Sequence, residues 1–260
     1  MNITSFNRRE KIKELLIENN FVSYNELAAI FNEVSGMTLR RDIDLLEREG
    51  LCAKVRGGAK TIAPNPAIEP IYSHRANENS QAKIDIALSA LPFIETGRSV
   101  FLDSGTTIME LAKILPDINL SILTSAPNIA LEVLKKRTPN INLIGGTINR
   151  DNLSVSGALA LNSLKGVNID IAFITPSGFS SNGGFTSGNY AESEVKRTII
   201  KKASRTIVLM DSSKTGKTLP FTFANLKDID VLVTDTELPD NIAAAAKKNN
   251  VELITIGGQK

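Results

Sequence analysis

YNELAAIFNEVSGMTLRRDIDLLEREG, residues 24–50, reads as two short amphipathic helices joined by a tight turn. Asn25 is placed to cap the first, whose apolar side is Leu27, Ala28, Ile30 and Phe31. The turn falls near Val34-Ser35-Gly36, and Met37, Leu39, Ile43, Leu45 and Leu46 supply a buried stripe for the second. Thr38, Arg40 and Arg41 lie off that stripe near the helix start, where a helix-turn-helix meets base edges and phosphates in the major groove. Two arginines on a helix are by themselves ordinary solvated charge. The turn spacing and the segment that follows favour DNA binding.

That segment is LCAKVRGGAKTI, residues 51–62. Two short β-like runs flank a Gly-Gly pair, the chemistry of a hairpin tip. A hairpin directly after a recognition helix makes a winged helix, with Lys54, Arg56 and Lys60 along the wing facing the phosphate backbone. Residues 8–59 resemble the amino-terminal domain of the DeoR family of bacterial transcriptional regulators. Ser35, Thr38, Arg40, Arg41, Asp42, Glu47, Gly50, Gly57, Gly58 and Ala59 stand where that family's pattern has them. Arg56 departs from it, replacing the histidine that many members carry before the two glycines, and retains a positive charge for phosphate.

Bulk composition neither carries nor opposes this reading. The formal net charge is +2, and residues 1–62 hold ten Lys/Arg against nine Asp/Glu, a net of +1, so only charge placement points to DNA. A length of 260 residues and 42% apolar content suit one large or two modest packed domains. The single Cys, Cys52, allows no intramolecular disulfide and reads as a small core residue, which fits a reducing cytoplasm. With no signal peptide before the first helix and no apolar run near 18 residues, the expected location is cytoplasmic.

The expected domains are a DNA-binding domain at 1–62, a linker at 63–79 and an α/β domain at 80–260. Residues 63–70, APNPAIEP, hold three prolines and suggest extended chain. A helix is expected from about Ser80 with Ile84, Ala87, Leu88 and Leu91 on one face. His74, the only histidine, has no cluster of ligands around it in sequence and receives no role.

From residue 99 short β-branched runs alternate with helical segments. The strands are expected at Ser99–Asp103, Leu120–Thr124, Ile141–Gly145, Asp170–Thr175, Thr206–Asp211, Asp230–Thr234 and Glu252–Ile256. The intervening helices fall at Ile108–Leu115, Asn128–Lys136, Ala158–Lys165, Ala191–Ala203 and Asp240–Asn249. The alternation predicts an open, largely parallel α/β sheet, with ligands beyond the carboxyl ends of the strands.

Four regions at those ends carry candidate chemistry. Asp103-Ser104-Gly105-Thr106-Thr107 joins a strand to a helix start whose hydroxyls and N–H groups suit a phosphate, or simply cap a helix. Thr124 opens a second polar turn, which reads more readily as a cap. Gly145 and Gly146 allow either close ligand approach or a tight turn. In the fourth, Ser177 follows a strand, Glu192 and Lys196 share a helix face, and Asp211-Ser212-Ser213-Lys214-Thr215-Gly216-Lys217-Thr218 follows another strand. The last run ends like a P-loop but has Asp211 where that motif needs glycine, which excludes nucleotide hydrolysis by this route.

In their order, DSGTT, GGT, Ser154 to Gly157, Ser177-Gly178, the Glu192-to-Lys196 run and DSSK resemble the sensor domain of the same DeoR family. The resemblance thus covers about residues 8–256. It implies a winged helix-turn-helix joined to a Rossmann-like, ribose-5-phosphate-isomerase-like α/β domain that binds phosphorylated sugars or related metabolites. By that resemblance Ser104 to Thr107 would cradle the phosphate. Gly145, Gly146 and Ser177 would wall the pocket, and Glu192, Lys196 and Lys214 would be polar and charged contacts. Ser125-Ala126 and Pro176 depart from the family's usual residues.

The expected protein is a repressor of a carbohydrate-metabolism operon, a homo-oligomer bound to double-stranded DNA and controlled by a phosphorylated sugar. It uses no cofactor or metal. The alternative is a sugar-phosphate isomerase with an accessory helical domain and Glu192 as its base, but a winged helix has no purpose in an isomerase.

Overall fold

Helix caps set the frame of the amino-terminal unit. The computed structural model describes residues 4–61 and 72–256, and the chain separates into two compact units, Met1–Asn65 and Pro66–Lys260. Thr4 accepts the Asn7 N–H and starts α1 (Ser5–Asn19), which is followed by β1 (Phe21–Ser23). Ser23, rather than the expected Asn25, caps α2 (Tyr24–Ile30). Its hydroxyl accepts the Glu26 N–H at 3.1 Å, and the Glu26 carboxylate accepts the Ser23 N–H at 2.7 Å. The reciprocal partner three residues on decides which residue becomes the cap.

α3 (Gly36–Arg48) follows a short turn, and β2 (Cys52–Val55) and β3 (Gly58–Thr61) form the wing, with β1 added beyond β3. The tip is Arg56-Gly57, and the two glycines serve different needs. Gly57 sits at φ +91°, while a Cβ on Gly58 would lie 2.2 Å from the Val22 carbonyl oxygen.

Ile12, Leu16, Val22, Leu27, Phe31, Leu39, Ile43, Leu46, Cys52 and Ala59 make the core of this unit. Ala28 and Ile30 of α2 and Met37 and Leu45 of α3, expected inside, are exposed. Asp42 is buried instead, because Arg8 of α1 donates to it at 2.5 Å.

The second unit begins with α4 (Tyr72–Asn77) and α5 (Ser80–Ala90). The first lies within the stretch expected to be linker; residues 63–71 of that stretch lie outside the described residues. α5 buries Lys83, Ile86, Ala87 and Ala90 and exposes Leu88, a face turned from the expected one by its buried lysine. The chain continues through β4 (Ser99–Leu102), α6 (Thr106–Ile114), β5 (Ser121–Thr124), α7 (Pro127–Val133) and β6 (Asn140–Leu143). Then come β7 (Thr147–Ile148), β8 (Val155–Ser156), α8 (Ala158–Ser163), β9 (Ile169–Ile174), β10 (Gly178–Ser180) and β11 (Gly184–Ser187). The rest is α9 (Tyr190–Lys202), β12 (Ala203–Leu209), β13 (Phe221–Ala224), β14 (Val231–Thr234), α10 (Asp240–Lys248) and β15 (Glu252–Thr255).

Each expected strand is present in one parallel seven-stranded sheet, ordered β15-β14-β12-β9-β4-β5-β6. Apolar clusters cover both faces: along β4, Val100 and Leu102 enter one and Phe101 the other. Burial on both faces is why the inner strands β4, β9, β12 and β14 carry continuous apolar runs, while the edge strands β6 and β15 are only partly covered. An antiparallel sheet, β10-β11-β13, was not foreseen from its glycine- and serine-rich sequence. Phe179 and Phe185 stack there with ring centroids 4.4 Å apart. No helix among the described residues is long and apolar enough to cross a membrane.

Candidate functional site

In the first unit, α3 stands on its cap. Ser35 Oγ accepts the Thr38 N–H at 3.2 Å and lies 3.0 Å from Thr38 Oγ1, so both candidate residues are engaged in closing the first turn. Arg40 and Arg41 are exposed, and the Arg40 guanidinium lies 4.9 Å from the Tyr24 ring centroid, a cation–π contact that steadies its outward path. On the wing, Lys54, Arg56 and Lys60 are all exposed. Lys54 bonds Asp44 of α3 at 2.5 Å, which ties wing to helix and holds the ammonium pKa above its ordinary value.

In the second unit the sheet order places a switch point between β4 and β9. From β4 the chain proceeds outward through β5 and β6; from β9 it proceeds the other way through β12, β14 and β15. The loops beyond these two neighbouring strands diverge and leave a crevice, the usual ligand site of an open parallel sheet. Ser104, Gly105, Thr106, Thr107, Ser177, Glu192, Lys196 and Lys214 line this cleft. Asp103 lies directly behind it, bonded to Lys196.

Gly105 precedes α6 at φ +143°, and a Cβ there would fall 2.6 Å from Thr175 Oγ1, so only glycine fits. No side chain caps α6. Thr175 Oγ1 donates to the Ser104 carbonyl at 2.9 Å and fixes the loop against β9.

Behind the loop lies a buried polar chain. The Lys196 ammonium donates to the Asp103 carboxylate and to the Thr175 carbonyl at 2.9 Å, and pairs with Glu192 at 3.1 Å. Glu192 also accepts from Asn152 Nδ2 at 2.5 Å. Asp103 Oδ1 has no hydrogen-bond partner among the described residues. Burial raises the Asp103 pKa despite Lys196; burial opposes the Lys196 charge, but Asp103 and Glu192 outweigh it and raise that pKa too. Both directions follow from two carboxylates sharing one ammonium out of water. The ammonium is held charged and one carboxylate becomes the weaker acid.

Thr124, Gly145 and Gly146 lie outside the cleft lining. The Thr124 hydroxyl accepts the Ala126 N–H at 3.1 Å, a local turn bond. Gly146 is needed where a Cβ would come 2.5 Å from the Ser156 carbonyl oxygen.

The cleft also contains Arg75, Asn152, Thr175 and Asp211, which sequence reasoning did not select. Arg75 comes from α4, and buried Lys83 donates to its carbonyl and to that of Glu78, pinning α4 to α5. Burial lowers the Lys83 pKa. Burial opposes the Asp211 charge, but Lys214, Ser213 and Asn79 outweigh it and hold its pKa below the usual carboxylate value. The aspartate that opens the DSSK run was the one available signal among these four; the others lie in irregular or short segments. Among the described residues no group of three His, Cys, Asp or Glu is placed to hold a metal.

Residues 8–65 match the model of the DeoR-like helix-turn-helix domain, and residues 78–236 match that of the DeoR C terminal sensor domain. The transcriptional regulator IolR of Bacillus subtilis (strain 168) is 32% identical over 245 residues, covering 94% of this chain and 96% of IolR. The transcriptional repressor GlcR of the same organism is 30% identical over 243 residues, covering 94% and 93%. A putative aga operon transcriptional repressor of Escherichia coli O157:H7 is 29% identical over 252 residues, covering 96% and 93%. Among solved structures, ribose 5-phosphate isomerase A of Methanocaldococcus jannaschii shares 15% identity at a TM-score of 0.40, over 53% of this chain and 55% of that one.

Proposed function

The chain belongs to the DeoR family of DNA-binding transcriptional regulators, and on that premise we propose that it represses a carbohydrate-metabolism operon under the control of a phosphorylated sugar. The observation that carries this reading is the uncapped start of α6 at the switch point of the sheet, in a cleft that also holds Arg75, Lys196 and Lys214. N–H groups at a helix start favour an anion, and Arg75 and Lys214 line the same cleft, while the Lys196 ammonium is taken up by Asp103 and Glu192. Glu192 and Asp211 are acceptors suited to sugar hydroxyls. In this reading Ser104 to Thr107 hold the phosphate, Ser177 closes one side, and Lys214 supplies charge.

Ser35, Thr38, Arg40 and Arg41 present the start of α3 to the operator, and Lys54, Arg56 and Lys60 carry the wing along the backbone. The names of GlcR, a transcriptional repressor, and of the putative aga operon transcriptional repressor support repression. The working form is a symmetric oligomer, because one winged helix has a small footprint and two-fold pairing spans successive major grooves.

Thermal-shift titration of the full chain with sugar phosphates and their unphosphorylated counterparts tests the effector. A stabilisation of about 2.7 kcal/mol at a hundredfold excess over Kd is expected for the correct phosphate. An unphosphorylated sugar that stabilises equally would remove the phosphate from this assignment.

A further inference from the structure

Of the two exposed apolar side chains of α3, Met37 is the more exposed and Leu45, at 39%, the less. Leu39, Asp42, Ile43 and Leu46 face the core. At 3.6 residues per turn Met37, Arg41 and Arg48 fall on the opposite side of the helix. Met37 is 66% exposed, in the first turn and next to Arg41 on the outward face. The residue before it, Gly36, has open space where a Cβ would stand and no positive φ, so packing and backbone geometry do not require glycine there.

A bare backbone position and a long apolar side chain thus sit at the leading end of the helix, flanked by Arg40 and Arg41. Isolated apolar residues are common on surfaces, but this one occupies the part of a recognition helix that comes nearest to base edges. The flanking arginines match the negative charge of a duplex, and the apolar group a duplex shows in its major groove is the 5-methyl of thymine. Methionine, unbranched and polarizable, adapts to such a contact.

We propose that Met37 is a specificity-determining residue that packs its thioether against a thymine methyl in the major groove, with Gly36 giving the helix start close access to the duplex. The inference rests on α3 being the reading helix.

The test uses the full-length protein to select its duplex site from a random DNA library. Each thymine of that site is then replaced in turn by deoxyuridine, which lacks only the methyl. At least one replacement is expected to weaken wild-type binding about 4-fold, the worth of one buried methyl-sized group. Met37→Ala, whose exposed position makes normal folding checkable by thermal melt, should bind the thymine and uracil duplexes alike at that position. Wild type that ignores every replacement, or Met37→Ala that keeps the full uracil loss, overturns the proposal. Its premise is tested separately. If Arg40→Ala and Arg41→Ala both bind the selected site at wild-type affinity and wild type also ignores every uracil replacement, α3 is not the reading helix. An arginine loss without any uracil loss overturns the Met37 proposal alone.

Discussion

α3 and α6 are the two helices whose first turns carry the proposed contacts with phosphate-bearing partners, and those turns are built in opposite ways. At α3 the Ser35 hydroxyl closes the turn on Thr38, so the helix start is complete before any partner arrives. At α6 the preceding residue is Gly105, no side-chain cap is made, and Thr106 and Thr107 are buried at a sheet crevice. A start that caps itself is a finished platform, and its outward side chains are left to discriminate. A start without a cap leaves N–H groups for a ligand to satisfy, so binding and local stability are linked. The same device of an oriented helix end serves rigid presentation in one unit and a responsive pocket in the other.

The largest effect expected lies behind α6, where the crevice depends on one ammonium and two carboxylates. Lys196→Met would leave Asp103 and Glu192 buried without their cation and should cost the second unit about 3–5 kcal/mol in urea unfolding. Asp103→Asn should cost much less, since Lys196 retains Glu192 at 3.1 Å. The pH dependence sharpens the point. Burial raises the folded pKa of Asp103, so the contribution of its neutral form is complete below the ordinary carboxylate value and is lost as pH rises through the raised one. The penalty of Asp103→Asn should therefore shrink as pH rises through that window. A penalty that grows instead, or losses equal to those of Lys196→Met, would refute the account of surplus carboxylate.

Next in size is the response to effector. Coupling between two sites usually amounts to about 1–3 kcal/mol, roughly 5- to 150-fold in operator affinity. Thr106→Ala combined with Thr107→Ala should abolish that shift in a gel-retardation titration while effector-free DNA binding stays near wild type. A response that survives the double substitution would place the effector elsewhere and would end the contrast between the two helix starts.

The strands and the loop before α6 were legible because their physics is local. A strand is apolar where the core covers both its faces, as residues 100–102 of β4, 171–174 of β9 and 207–209 of β12 are, and a glycine among hydroxyls between strand and helix marks close backbone approach. What failed to show depends on distant or ambiguous partners. Asp42 on the stripe of α3 reads as a polar interruption, and its burial follows from Arg8 on another helix. Arg75 sits on a six-residue helix too short to show a period. Thr124 and Gly146 have the residue types of a ligand loop, but their hydroxyl and missing Cβ are used up in local geometry. Met37 has the chemistry of a core residue at an outward position, so pattern alone assigned it inward.

The smallest expected effect is also the cleanest test of the α3 start. Ser35→Ala removes the cap and should lower the stability of the amino-terminal unit by about 1 kcal/mol, within a usual range of roughly 0.5–2, read as a shift in its thermal melt. Ser35→Asp supplies a capping carboxylate, which also suits the positive end of the helix, so stability should return to near wild type. DNA binding should not return with it. If the start of α3 approaches the duplex backbone, the carboxylate faces phosphates, and binding should fall below that of wild type, with the deficit easing as salt screens the repulsion. A Ser35→Asp protein that is stable and binds its operator as wild type does at low salt would mean that the finished platform of α3 faces away from the DNA.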